Sequence, residues 1–272
     1  MQNLNYSVPN LIAEYDKILA AKRKNSPQVL LRLRPQVLVE YTSYEDNFAT
    51  IQSKQSCIFS IADKKELINC YNNETKPLKD LKSFIISSQT DVFKSVCPYC
   101  LIQSHSSFDH YIPKDEYAVY SVCARNLVPC CSTCNSKKLE MWREADNSAR
   151  NIIHFYNDII PNEQFLNCAL DITNLTLNFS LNFSATFDTN LKFIIEKHFE
   201  RLALLERYRA ESSKVIADFV DHNRATKSKV SLPHLVEIIT DTVNNQQARY
   251  GINYWISLAY LELANPAFLA II

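Results

Sequence analysis

Cys97-Pro98-Tyr99-Cys100, then Asp109-His110-Tyr111-Ile112-Pro113, then Asn126-Leu127-Val128-Pro129-Cys130-Cys131-Ser132-Thr133-Cys134-Asn135-Ser136-Lys137-Lys138 is the stretch that decides how this chain reads. Two Cys-x-x-Cys pairs bracket a loop that carries an Asp-His pair. Two thiolates three positions apart on a tight turn can grip one tetrahedral zinc ion, and two such pairs complete four ligands. Pro98 suits such a turn because its fixed φ shapes it and removes one donor. In the second pair only Cys131 has the x-x spacing to Cys134, so Cys130 is read as a neighbour. The ligands are then Cys97, Cys100, Cys131 and Cys134. The insert 101–130 is longer than a common zinc ribbon needs, so it houses something else.

The insert supplies chemistry. A histidine is neutral near pH 7 and can take a proton from water. On an extended segment successive side chains alternate, so Asp109 can hold a cation on one side while His110 works on the other. Pro113 turns the chain after the strand.

Residues 97–138 resemble the HNH endonucleases of the ββα-metal type with a four-cysteine zinc. The likeness lies in a Cys-x-x-Cys knuckle, a strand with Asp-His, a middle Asn in Asn126-Leu-Val, and Cys-x-x-Cys-Asn opening a helix. It implies that His110 is the general base, that Asp109 ligates a catalytic Mg²⁺ or Mn²⁺, and that Asn126 ties the loop to the strand. Asn135 stands where many members carry the last histidine, and would be the second metal ligand. An amide oxygen suits a hard ion better than imidazole does. Arg125, Lys137 and Lys138 would meet flanking phosphates. Nucleic acid, double-stranded DNA first, is the implied partner. A place in anti-phage defence or restriction, with a regulatory protein partner such as an ATPase, follows by analogy only. The competing reading is a zinc-stabilised nucleic-acid or protein-binding module that does not cut.

The 272 residues suffice for a sizeable core and one or two domains. Acids and bases balance at 29 each, so any nucleic-acid contact must come from local patches rather than net charge. No leader-like segment and no apolar run near about 18 residues is present, and nine cysteines suit a reducing compartment. The expectation is therefore no membrane and a cytoplasmic location. With a single glycine, Gly251, turns fall to Asn, Ser and Asp.

The expected class is α+β, mainly α, in three parts: a helical region 1–90, an HNH nuclease domain 91–165, and a β-hairpin with helices over 166–272. Leu11, Ile12, Tyr15, Ile18 and Leu19 recur at helical spacing, Ser26-Pro27 starts a second helix, and a third follows Pro35. Helices at 63–72 and 75–89 lead to Cys97. Lys22-Arg23-Lys24 with Arg32 and Arg34 form either a DNA-facing patch or a solvated face. The helix at Asn135 should run through Trp142. The apolar run 152–156 reads as a short strand or loop in which His154 is packed, not catalytic. Leu175, Leu177, Phe179, Leu181 and Phe183 alternate with polar residues as a strand, paired with 169–172 across Thr173-Asn174. One long helix is expected at 188–221, another from Leu232-Pro233 to 249, and a last from 252 to 264, ended by Asn265-Pro266.

Overall fold

The protein is described from a computed structural model covering residues 1–8, 10–23 and 26–272. It is α+β and mainly helical, 54% helix with two small sheets and a cysteine cluster. Two compact units emerge where three segments were expected. One holds Asn3–Tyr99 and Gln103–Asp158; the other holds Met1–Gln2, Cys100–Ile102 and Ile159–Ile272. Among the described residues no helix is long and apolar enough to cross a membrane.

The first unit begins with α1 (Leu11–Ala20) and α2 (Ser26–Asp46). Asn10 caps α1 by accepting from the Ala13 amide at 3.0 Å. Pro35 starts no new helix; it lies inside α2. The buried positions Leu30, Leu33, Val37, Tyr41 and Tyr44 keep one helical phase across it, so tertiary burial outweighs the backbone bond that proline removes. A 3-10 turn at Phe48–Ser53 follows, unannounced by the sequence, then α3 (Ile61–Asn72) and α4 (Lys76–Ser87).

Next, β1 (Ser107–His110) pairs antiparallel with β2 (Leu127–Cys130), His110 opposite Leu127 and Asp109 opposite Val128. β2 runs into α5 (Ser132–Lys138). This helix starts three residues before Asn135 and stops at Lys138, well short of Trp142. Cys131 is its N-cap, and Leu139 leaves it at φ 50°, a left-handed turn that ends the helical path. Ile152, Ile153 and Phe155 are fully buried without joining a strand.

In the second unit β3 (Leu166–Asp171) pairs antiparallel with β4 (Thr176–Leu181). Asp171 shapes the turn by accepting from the Thr173 and Asn174 amides, both at 3.0 Å. The expected long helix is three: α6 (Thr189–Arg201), α7 (Leu204–Ala210) and α8 (Ser212–Lys227). Ala203, at φ 50°, breaks the first from the second, which lets Phe199, Leu202, Leu204 and Tyr208 all turn inward. Helices α9 (Leu232–Tyr250), α10 (Trp255–Leu263) and α11 (Pro266–Ile271) complete the unit. Asn265 caps the last of these rather than ending the helical region. Gly251 sits at φ 87°, and a Cβ there would lie 2.2 Å from the Met1 carbonyl oxygen, so the one glycine is where only glycine fits.

Candidate metal and acid-base site

The four cysteine sulfurs of Cys97, Cys100, Cys131 and Cys134 lie within 4.8 Å of one another, and all four residues are buried. Four sulfurs at about 2.3 Å from a tetrahedral zinc stand about 3.8 Å apart, so the cluster has the size and the donor set for a metal ion such as zinc. Backbone amides point at two of the sulfurs: Ile102 N at 3.5 Å from Cys100 Sγ, and Cys134 N at 3.4 Å from Cys131 Sγ. Leu101, at φ 53°, makes the first of these turns possible. Cys130 is outside the cluster. Its sulfur lies 3.5 Å from Ser107 Oγ, and burial pushes the thiol up to about 12, as expected of a small core residue. None of the nine cysteines is in a disulfide.

Asp109 and His110 leave β1 on opposite sides. Asp109 is enclosed: Tyr99 donates its hydroxyl to Oδ2 at 2.8 Å, and the Lys138 ammonium meets Oδ1 at 3.1 Å. The two side chains of that ion pair are 3% and 0% exposed. Lys138 also donates to the His110 carbonyl at 2.9 Å. Lys138 was expected to face phosphate; instead its ammonium turns inward.

His110 is half-buried, with Nε2 2.9 Å from the Ser121 carbonyl oxygen. A carbonyl only accepts, so Nε2 carries the proton and Nδ1 keeps the lone pair. Burial pushes the imidazole down to about 3, and Lys114, Lys138 and Lys82 add to the effect. The Tyr71 ring stands edge-on at 4.3 Å, and Lys82 lies 4.0 Å over that ring.

Asn126 is fully buried and braces the loop between the strands. Its Oδ1 accepts from the Ile112 amide at 2.7 Å, while Nδ2 donates to the carbonyls of Ile112 at 2.9 Å and Tyr120 at 3.2 Å. Asn135 is half-buried on α5, three residues before Lys138 and so on the same helix face. With Cys131 as the cap, Asn135 lies inside the helix.

Of the other nominated cations, Arg125 is engaged and Lys137 is half-buried. Arg125 stacks 3.7 Å over Tyr6 and sits 3.8 Å from Glu45. Lys137 is half-buried in the last turn of α5. Of the basic group near α1, Lys22 donates to the Asn69 and Asn73 carbonyls, Arg34 grips Asp16 and Arg32 pairs with Asp63. These bonds fit a packed, self-neutralised face; Lys24 lies outside the described residues. His154 is packed, as expected, with Nε2 at 3.1 Å from Tyr44 Oη and from the Arg125 carbonyl.

Tyr99, Tyr71, Lys82 and Lys114 were not singled out by sequence. Only Tyr99 left a trace, as the residue inside the first Cys-x-x-Cys pair; the others come from separate helices and turns.

Asp109 on β1 and Asn135 on α5 carry the donor types, one carboxylate and one amide oxygen, that a hard divalent ion takes. The observation that limits it is occupancy, since both Asp109 oxygens already accept from the protein.

No family model matches the chain. It is similar to Protein ea31 of Escherichia phage lambda, 26% identical over 189 residues. The match covers 62% of this chain and 61% of the length of that protein. No solved structure matches.

Proposed function

We propose that the chain is an HNH-type endonuclease that hydrolyses phosphodiester bonds, double-stranded DNA first among substrates. The observation that carries the reading is the order β1, β2, α5 with two 3-10 turns between the strands, Asp109-His110 on the first strand, Asn126 bracing the loop, and the cysteine cluster drawing on the chain before β1 and on α5. Zinc at the four thiolates is structural, since four protein ligands close the shell to water.

In this reading His110 Nδ1 takes the proton of an attacking water while the Ser121 carbonyl holds the ring through Nε2. Burial and nearby lysines keep the ring neutral, and an approaching phosphodiester adds the negative charge that raises its hold on a proton. Lys82 and Lys114, which flank His110, and Lys137 and Arg125 offer positive charge to the backbone of the substrate. When bound at Asp109 and Asn135, Mg²⁺ or Mn²⁺ supplies Lewis-acid stabilisation of the charge that develops on phosphate. A cytoplasmic role in defence or restriction, restrained by a partner such as an ATPase, rests on the resemblance alone.

One observation favours the second reading, a zinc-stabilised binding module that does not cut: Asp109 is already neutralised by Lys138. Plasmid, linear and single-stranded substrates with Mg²⁺, with and without EDTA, separate the two. The nuclease reading expects cleavage that EDTA stops and that His110→Ala removes with the fold intact. Undiminished cutting by His110→Ala, or no cutting of any substrate, overturns it.

A further inference from the structure

Lys138 is the only lysine among the described residues whose side chain is wholly buried, and it meets the one carboxylate that the proposed chemistry needs. Its ammonium rests among three oxygens: Asp109 Oδ1 at 3.1 Å, the His110 carbonyl at 2.9 Å and the Leu139 carbonyl at 3.5 Å. A cation ringed by oxygens is what a hard metal ion would also find there. The remaining Asp109 oxygen is bonded to Tyr99, so an incoming ion has Oδ1 to compete for. Two cations on that oxygen in a space this dry would repel each other with little screening.

We propose that Lys138 is a resident cation at Asp109, and that its ion pair and divalent-metal binding exclude each other. The inference rests on the metal role assigned to Asp109 in the nuclease reading. It goes further by making the lysine the gate to that role. Lys138 is the last residue of α5, and the left-handed, exposed Leu139 follows it, so the helix ends at the lysine. Once displaced, the ammonium is on the same helix face as Asn135 and becomes available to phosphate, so metal entry and substrate charge draw it the same way.

The test is Mn²⁺ binding to the zinc-loaded protein, read by titration calorimetry and water-proton relaxation, with no cleavage involved. Lys138→Met should bind Mn²⁺ about tenfold more tightly or better than wild type, and adding Asp109→Asn should abolish the gain. Equal affinity in wild type and Lys138→Met, or a gain that survives Asp109→Asn, overturns the proposal. If Lys138→Met does not fold, acetylation of the wild-type protein decides. Lys138 should be protected without Mn²⁺ and labelled with it, as read by peptide mass spectrometry; labelling unchanged by Mn²⁺ overturns the proposal. Absence of cleavage alongside the expected binding pattern would sink the nuclease reading alone.

Discussion

Two buried asparagines do the same mechanical job in the two units, and they differ in what surrounds them. Asn126 braces the loop between β1 and β2 through the Ile112 and Tyr120 backbone. Asn253 fixes the start of β3, accepting from the Phe165 and Leu166 amides at 2.8 and 2.9 Å and donating to the Glu163 carbonyl at 2.8 Å. Around Asn126 the unit also buries Asp109, Lys138, Arg150, Asp158 and His154. Around Asn253 the buried polar residues are His198, Ser212 and Ser257, and among the described residues that unit buries no acidic side chain, lysine or arginine. Buried charge costs stability unless it is paired. The first unit keeps paired charges inside, whereas the second is held by neutral polar braces, Asn253 at β3 and Ser212 at β4, where it exchanges hydrogen bonds with the Leu177 backbone at 3.2 Å.

The largest expected effect breaks the cysteine cluster. Elemental analysis should find one zinc per chain, and Cys97→Ser or Cys134→Ser should lose both the zinc and the cooperative thermal unfolding of the residues around it. Metal binding in such sites contributes on the order of 10 kcal/mol. A zinc-free wild type of full stability would remove the cluster from the comparison. Next in size is Asp109→Ala, which strands the buried Lys138 ammonium. Urea unfolding should show a loss of about 3–5 kcal/mol. A loss under about 1 kcal/mol would mean that the pair is solvated and the contrast between the units is false.

Asn126→Ala and Asn253→Ala sharpen the comparison directly. Each leaves buried backbone groups unpaired, at about 1–3 kcal/mol. Cleavage should fall only in the first, beyond what its lost stability explains; matched losses of cleavage in the two variants would show that the brace has no special tie to the site.

How each unit could be read from sequence follows the same divide. The cysteine cluster was legible because Cys-x-x-Cys is a local geometric statement: three positions on a tight turn fix where two sulfurs go. Asp109-His110 was legible as a strand pair through the resemblance and through the alternation of side chains on an extended segment. The inward course of Lys138 was not, because lysine is normally a surface residue and its partner lies 29 positions away. In the second unit, periodicity located β4 and the helices but missed the break at Ala203, where no glycine or proline marks the left-handed turn. Pro35 misled in the opposite direction, since a breaker residue sits inside a helix held by burial on one face. Asn253 has no motif, and its role appears only when β3 and the turn before α10 meet.

The smallest effect concerns acid. Burial first, then Arg150 and Arg125, holds the His154 imidazole well below its ordinary value. A histidine lowered in the fold stabilises it above the unfolded value of about 6.5, and that contribution is lost as pH falls below it. His110, also lowered, adds a second proton of the same sign. Each contributes a slope of about 1.4 kcal/mol per pH unit below that point. His154→Gln should therefore lower the slope of stability against pH between pH 6 and 5 by up to about 1.4 kcal/mol per pH unit in denaturant titrations. An unchanged slope would show that His154 is already charged in the fold.

Helix α5 carries a sulfur of the cysteine cluster in its first turn and the Lys138 ammonium at its other end. Cys134 and Lys138 are four residues apart, on one face and about 6 Å along the axis. So short a helix turns as a rigid lever. A shift that loosens the grip on Cys134 must swing the lysine, and a pull on the lysine must load the sulfur. The two ends are not free to drift apart under mutation: an insertion or deletion inside α5 changes the pitch at which both arrive, and so alters the cysteine cluster and the Asp109 ion pair in one stroke.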